Sequence, residues 1–186
     1  MNPTLNKSDF EDLTTNLKDL AYSYLAKYSP SKQQLKVYLL KKYLTKIKGA
    51  ATKKEVSSII DVIIDNLEKN KIINDELYSD SKARMFLRRG YSLNKINQSL
   101  RNKGIEGKYV KQTIDKIKEN QIEPDFVSAL KLCKRRRIGP LRPQPNRELF
   151  YKKDMGILAR GGFSFDLSKR VLNLESSEFN KLLKII

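Results

Sequence analysis

Apolar residues recur along most of this chain at spacings of three and four, the period of a helix with one buried face. Leu13, Leu17, Leu20, Tyr24, Leu25 and Tyr28 form the first stripe, behind a capping box of Ser8 and Glu11. Ser29-Pro30-Ser31 ends that helix and starts a second, which carries Leu35, Leu39 and Leu40 on one side. After a break at Gly49-Ala50, Thr52 and Glu55 make another capping box, and Val56, Ile59, Ile60, Ile63, Ile64 and Leu67 form a third stripe.

The same grammar then restarts twice. Asn70 and Asn74-Asp75 mark a joint, followed by a helix from about Glu76 to Arg89 with Leu77, Ala83, Phe86 and Leu87 inward. Gly90-Tyr91-Ser92 stops it, Leu93, Ile96 and Leu100 line the next helix, and Tyr109, Val110, Ile114 and Ile117 line another beyond Gly104-Ile105. The third round begins after Glu123-Pro124-Asp125. It runs to Ile138-Gly139-Pro140, passes a Pro-rich loop from Leu141 to Asn146, and resumes in helices on either side of Gly161-Gly162, with Ser176 as the cap of a short last helix.

Register ties the rounds together. Ser31, Leu35 and Leu39 match Ser92, Ile96 and Leu100 at one offset, and Leu100, Gly104, Ile105, Tyr109 and Ile114 match Leu158, Gly162, Phe163, Leu167 and Leu172 at another. The expected fold is all-α. Three tandem three-helix repeats stack into an elongated, curved array, because each is too small to bury its own apolar face. Their expected bounds are 1–70 with an N-terminal extension, 71–122, and 123–186 with a C-terminal helix.

Composition narrows the function. The 186 residues carry 38 Lys plus Arg against 21 Asp plus Glu, a net charge of +17, and 39% are hydrophobic. Such a surface attracts polyanions, without separating nucleic acid from an acidic protein or membrane; a coding bias toward Lys, Asn and Ile is the bland alternative. There is no histidine, which removes histidine-based acid–base chemistry and histidine-ligated metals. The single cysteine, Cys133, is expected to be a buried thiol and suits a reducing cytoplasm. Phosphate-loop and dinucleotide-binding glycine patterns are absent, and Gly161-Gly162 reads as a helix cap. No enzymatic activity, cofactor or metal is expected. Neither is a membrane span or a secretory signal at Met1-Asn2-Pro3-Thr4.

Charge clusters in particular places. From Asp125 to Arg160 ten basic residues face three acidic ones. Lys131, Lys134, Arg135, Arg136 and Arg137 lead the run and Arg142 continues it. Arg84, Arg88, Arg89 and Lys95 form a second cluster, with Arg84 and Arg88 four apart on one helical face. These ten are the candidate partner-binding residues, since arginine suits two-point capture of carboxylate or phosphate. The competing reading is a solvated helix end favoured by the dipole. Lys32, Lys36, Lys41, Lys42, Lys46 and Lys48 read as a plain solvated face, and Tyr22, Tyr24, Phe86, Phe163 and Phe165 mostly as core.

One run of motifs resembles a known family. Ile73-Asn74-Asp75-Glu76-Leu77-Tyr78, Ala83-Arg84-Met85-Phe86-Leu87-Arg88-Arg89-Gly90-Tyr91-Ser92 and Lys103-Gly104-Ile105 look like the central repeat of the RecX family of bacterial RecA modulators. Ala129 to Pro140, Leu158 to Asp166, and Arg170-Val171-Leu172 look like its third repeat. The resemblance covers about Leu17 to Leu172. The chain departs from the family at Asn74-Asp75, where a pair of acids is usual. The resemblance implies a cytoplasmic, monomeric, non-enzymatic protein that binds RecA and its single-stranded DNA filament, with direct weak DNA contact. It implies restraint of filament growth, ATP hydrolysis and strand exchange in recombination, DNA repair and the SOS response. A generic helical nucleic-acid binder without a RecA target is the alternative.

Overall fold

A computed structural model of the chain describes residues 7–47 and 51–185. Within them the protein is all-helical. The α-helices are α1 (Lys7–Leu25), α2 (Lys32–Lys42), α3 (Lys53–Lys69), α4 (Asp75–Arg88), α5 (Leu93–Arg101), α6 (Gly107–Asn120), α7 (Pro124–Arg136), α8 (Gln144–Arg160), α9 (Phe165–Leu172) and α10 (Ser176–Ile185). A π-helical turn, Tyr43–Ile47, extends α2, and a 3-10 turn, Gly139–Leu141, precedes α8. The expected break at Gly49-Ala50, Lys48 and the N-terminal tetrapeptide lie outside the described residues, as does the side chain of Lys46.

The chain divides into two compact units. The first comprises the described residues up to Tyr78 together with Lys103–Glu106. In its core Leu17 and Ala21 of α1 meet Leu35 and Leu39 of α2 and the isoleucine stripe of α3. The second comprises Ser79–Asn102 and the described residues from Gly107 onward. In its core Leu130 and Cys133 of α7 pack with Leu158 of α8, Val171 and Leu172 of α9 and Phe179 of α10. Each fully buried Leu contributes roughly 1.5–3 kcal/mol. Three of the pairs related by the second offset are buried at both members: Leu100 and Leu158, Ile105 and Phe163, and Ile114 and Leu172.

The starts of α2 and α5 are held alike. Ser31 and Ser92 each accept the third helical amide through their hydroxyl. The first helical amide instead goes to a later carboxylate: Lys32 N–H donates to Asp75 Oδ1 at 2.9 Å in the first unit, and Leu93 N–H donates to Asp125 Oδ1 at 2.7 Å in the second. In each case two of the otherwise orphaned amides of a helix N-terminus are satisfied. Asp75 also explains the departure at Asn74-Asp75. Asn74 Oδ1 caps α4 through Leu77 N–H at 3.0 Å, and Asp75 makes the longer-range bond.

Helix ends follow an equally regular rule. Lys71, Gly90, Arg137 and Gly162 all have positive φ. At each, the next amide reaches back to the carbonyl five residues earlier, as in Ile72 N–H to Leu67, Tyr91 N–H to Phe86, Ile138 N–H to Cys133 and Phe163 N–H to Leu158. This is the Schellman stop, for which glycine is the usual residue. At Gly90 it is required twice over. A Cβ there would lie 2.5 Å from the Leu132 amide nitrogen and 2.6 Å from the Ser128 carbonyl oxygen, so the end of α4 rests on the backbone of α7.

Some sequence expectations are corrected. Leu77 is 66% exposed; the inward places at this level belong to Tyr78 and Ser79, one helical step round. The Ser79 hydroxyl shares a 2.9 Å hydrogen bond with Thr113, a pairing that hydropathy cannot register. Ser8 lies inside α1 rather than capping it. Ser176 begins α10, and its hydroxyl donates to the Pro140 carbonyl at 2.6 Å. The Pro-rich loop is shorter than expected, because α8 begins at Gln144 with a proline in its first turn, where the missing amide costs nothing. Tyr22 and Phe165 are exposed rather than core. Lys32 and Lys36 are not simply solvated. Lys36 pairs with Asp61, and Lys32 Nζ sits between Glu68 and Glu106 at 2.9 and 3.1 Å. Burial works to lower the Lys32 pKa, and the hydrogen bonds and charges of the two glutamates outweigh it and raise it.

Two outcomes are expected. Gly90→Ala forces a Cβ into backbone at positive φ and should cost about 2 kcal/mol or more in urea unfolding. Asp75 is buried with Oδ2 unpartnered. Burial raises its pKa despite the Lys32 amide and charge. The folded state therefore holds this proton more readily than the unfolded chain, and the Asp75 contribution weakens stability as pH rises above the ordinary aspartate value of about 4. Unfolding titrations across that range should show Asp75→Asn gaining on the parent as pH rises.

Candidate partner-binding surface

Arg84 and Lys131, which open the two basic clusters, are 47 residues apart in sequence, yet they meet in the second unit. The cause is the side-chain-free contact of Gly90 with α7, which lets the last turn of α4 lie on the helix that carries the second cluster. As a result Arg84, Leu87 and Arg88 of α4, Gln121, and Lys131 of α7 line one open recess. Arg135, one turn beyond Lys131, stacks its guanidinium 5.6 Å from the centre of the Tyr91 ring, a favourable cation–π geometry.

The charged ends of Arg84, Arg88, Arg89, Lys131, Lys134 and Arg136 make no ion pair with any described residue. Uncompensated cations lie on both sides of the recess, and a multiply anionic partner meets no carboxylate competing for them. α7 presents them outward because its apolar residues face the other way: Ala129, Leu130, Leu132 and Cys133 are buried, whereas Lys134 to Arg137 are exposed. Burial, with the charge of Asp154 adding to it, pushes the Cys133 thiol up to about 12. It is therefore a neutral core side chain and no nucleophile.

Arg137 occupies the αL position that ends α7, with φ 53° and ψ 50°. It is the counterpart of Gly90 at the end of α4, but here the side chain is exposed. A non-glycine residue in this conformation carries strain of order 1 kcal/mol. Lys95 is half-buried; its amide donates to the Ser92 hydroxyl at 3.1 Å. Its Cβ also packs close to Gly162.

Arg142 is corrected from a partner-binding to a structural role. Its guanidinium is spent on Asp154, Nε to Oδ2 at 2.7 Å and Nη2 to Oδ1 at 2.8 Å, and it lies over the Phe150 ring. Asp154 is 1% exposed and also accepts Gly139 N–H at 3.0 Å. Arg147, part of the same basic run, donates to the carbonyls of Leu172 and Leu174 and so ends α9. The sequence hid both because an arginine looks the same in a string whether its carboxylate partner is near or absent. The functional residues that sequence reading missed are uncharged: Leu87 and Gln121 line the recess with the cations. Among the described residues no cluster of three or more His, Cys, Asp or Glu is placed to hold a metal ion, and no helix is long and apolar enough to cross a membrane.

Opposite stabilities are expected at the two arginines. Arg137→Gly relieves the αL strain and should stabilise the fold by about 1 kcal/mol. Arg142→Ala strands a buried carboxylate and should cost about 3–5 kcal/mol. Thermal and urea unfolding of the two variants checks both signs.

The chain is 33% identical over 161 residues to the regulatory protein RecX of Myxococcus xanthus, covering 86% of this chain and 85% of that protein. It is 27% identical over 133 residues to the regulatory protein RecX of Clostridioides difficile, which covers 69% of this chain and 58% of that longer protein. A crystal structure of a regulatory protein RecX, 20% identical, superposes with a TM-score of 0.58 over 90% of this chain and 77% of that one, a likeness of fold. No protein-family model matches the chain. Identity at this level across most of both chains, together with the shared helical fold, places the protein in the RecX family.

Proposed function

We propose that this chain is a non-enzymatic regulator that binds RecA and the RecA–single-stranded DNA filament. It limits filament growth, and RecA's ATP hydrolysis and strand exchange fall as a consequence, in recombination, DNA repair and the SOS response. The observation that carries this reading is the convergence of Arg84, Arg88 and Lys131 on one recess, free of carboxylate partners, in a chain of the RecX family. A filament of protein and DNA phosphate offers the multiple anionic contacts that such a surface takes, with affinity that falls as salt rises. The proposed surface also takes in Arg89, Lys95, Lys134, Arg135, Arg136 and Arg137, and leaves out Arg142, whose guanidinium Asp154 holds.

We infer further that the chain is organised as three tandem three-helix repeats, bounded near 1–70, 71–122 and 123–186. What supports this is one bond that recurs, and a capping serine that in each case meets a later carbonyl, through its hydroxyl at Ser31 and its amide at Ser92. Asp75 and Asp125 take the first amide of α2 and α5, and Lys103 and Gly161 supply carbonyls to Ser31 Oγ and Ser92 N–H. The expected partner set includes direct weak contact with DNA, and the expected state is a monomer in the cytoplasm. The net charge of +17 also favours the generic nucleic-acid binder, and the same experiment separates the two.

RecA-dependent ATP hydrolysis on single-stranded DNA should fall on addition of the parent protein. Arg135→Glu/Arg136→Glu should inhibit several-fold less, with unfolding free energy changed by less than about 0.5 kcal/mol, and added salt should weaken the parent more than the variant. Equal inhibition by parent and variant at every salt concentration rejects the surface assignment. A parent that binds DNA tightly and leaves RecA unaffected rejects the RecA reading.

A further inference from the structure

An open groove of about 450 Å³ runs between α4 and α6 in the second unit. One wall is Asp80, Ala83, Arg84 and Leu87; the other is Thr113, Lys116, Ile117 and Asn120. Both sets fall at i, i+3, i+4 and i+7, so each wall is a single helical face. Ala83 and Thr113 are buried at the floor, and Leu87 and Ile117 are half-buried on the flanks. The floor offers little hydrogen bonding, because the Thr113 hydroxyl is already shared with Ser79 at 2.9 Å and donates to Asp80 at 2.8 Å. Most of the exposed lining is therefore aliphatic.

The two ends differ in charge. At one, Asp80 is engaged by Lys116 Nζ at 3.1 Å. At the other, Arg84, Leu87 and Gln121 also line the recess of Arg88 and Lys131, so the groove opens onto cations that have no carboxylate partner among the described residues. Among the described residues no aromatic ring lines the groove or the recess. Single-stranded nucleic acid gains much of its sequence-tolerant affinity from stacking on aromatic side chains, and nothing here supplies it. Two helical faces with an aliphatic floor between them match a third helix laid into the groove.

We propose that the α4–α6 groove docks one amphipathic helix of a protein partner. Aliphatic side chains at helical spacing fill the space between Leu87 and Ile117. Asp or Glu on the adjoining flank meets Arg84, Arg88 and Lys131. The partner-binding reading above matters here only for which protein supplies the helix. Leu87 and Ile117 stand in the groove as affinity determinants, and the arginines set which charge the helix must carry.

The test uses a fluorescein-labelled helical peptide of about 18 residues, with Leu at i, i+4 and i+7 and Glu on one flank. Its controls carry Lys in place of Glu or Ser in place of Leu. Anisotropy should show micromolar binding of the Glu peptide to the full chain, and backbone amide shifts should change at Ala83, Leu87, Ile117 and Gln121. Both controls should bind at least tenfold more weakly. Leu87→Ser/Ile117→Ser should lose the Glu peptide. Arg84→Glu/Arg88→Glu, exposed changes that leave the melt intact, should lose the Glu peptide and gain the Lys peptide. No shift at those amides up to about 1 mM peptide, equal binding of the Glu and Lys peptides, or perturbation of the same amides by an oligothymidylate in place of the peptide overturns the proposal. RecA is not the probe, so a failed peptide leaves the ATP hydrolysis result standing, and a chain without effect on RecA still reports whether the groove takes an acidic helix.

Discussion

The contact on which the binding surface depends is made by an atom that is missing. Gly90 brings the last turn of α4 onto the backbone of α7 at a distance that no Cβ tolerates, and its left-handed backbone turns the chain directly into α5. Everything electrostatic about the surface follows from that approach. Arg84 and Arg88 come to share a recess with Lys131, and Arg135 reaches the Tyr91 ring just beyond the turn. With a side chain at that position the two helices must separate, and the charges become two dilute patches instead of one concentrated one. Clustered cations over low-dielectric walls hold a stronger field than the same cations dispersed.

Carboxylates that accept backbone amides do the complementary work. Asp75, Asp125 and Asp154 each accept a backbone amide from a segment distant in sequence, at the start of α2, the start of α5 and the 3-10 turn before α8. The three differ in what else they meet. Asp154 receives a two-point arginine bond in addition, and Asp75 keeps one oxygen unpartnered beside a Lys32 that Glu68 and Glu106 already share. In a chain so rich in positive charge, these three acids are placed where amides need acceptors, and the arginines that line the recess stay unneutralised. Net charge alone says nothing about that division of labour.

The same division explains why the basic run from Lys131 onward is not uniform. Lys134, Arg136 and Arg137 point outward, whereas Arg142 and Arg147 turn inward to Asp154 and to the carbonyl end of α9. Arg137 holds a backbone conformation that glycine fits better, while Gly90 at the matching helix end has no such latitude. One stop is shaped by packing. The other, facing solvent, is open to a charged side chain that a partner can meet.

Most of the stripes and several caps and stops were readable from the string, because they depend on residues three to six apart: Ser31 and Thr52 cap as their spacing implies, and the α3 stripe is buried throughout. The family was readable too, from motifs in order. What the string could not reveal is any fact that rests on partners far along the chain. It placed Leu77 inward and Arg142 outward, and both are reversed, because Tyr78 and Ser79 take the inner face against distant neighbours and Asp154 takes the guanidinium. It left Arg84 and Lys131 as separate clusters, and gave no sign that Leu87 and Ile117 face across a groove. Local periodicity sets which side of a helix is apolar. Only the packing of one helix on another decides which charges are spent inside the fold and which remain free at its surface.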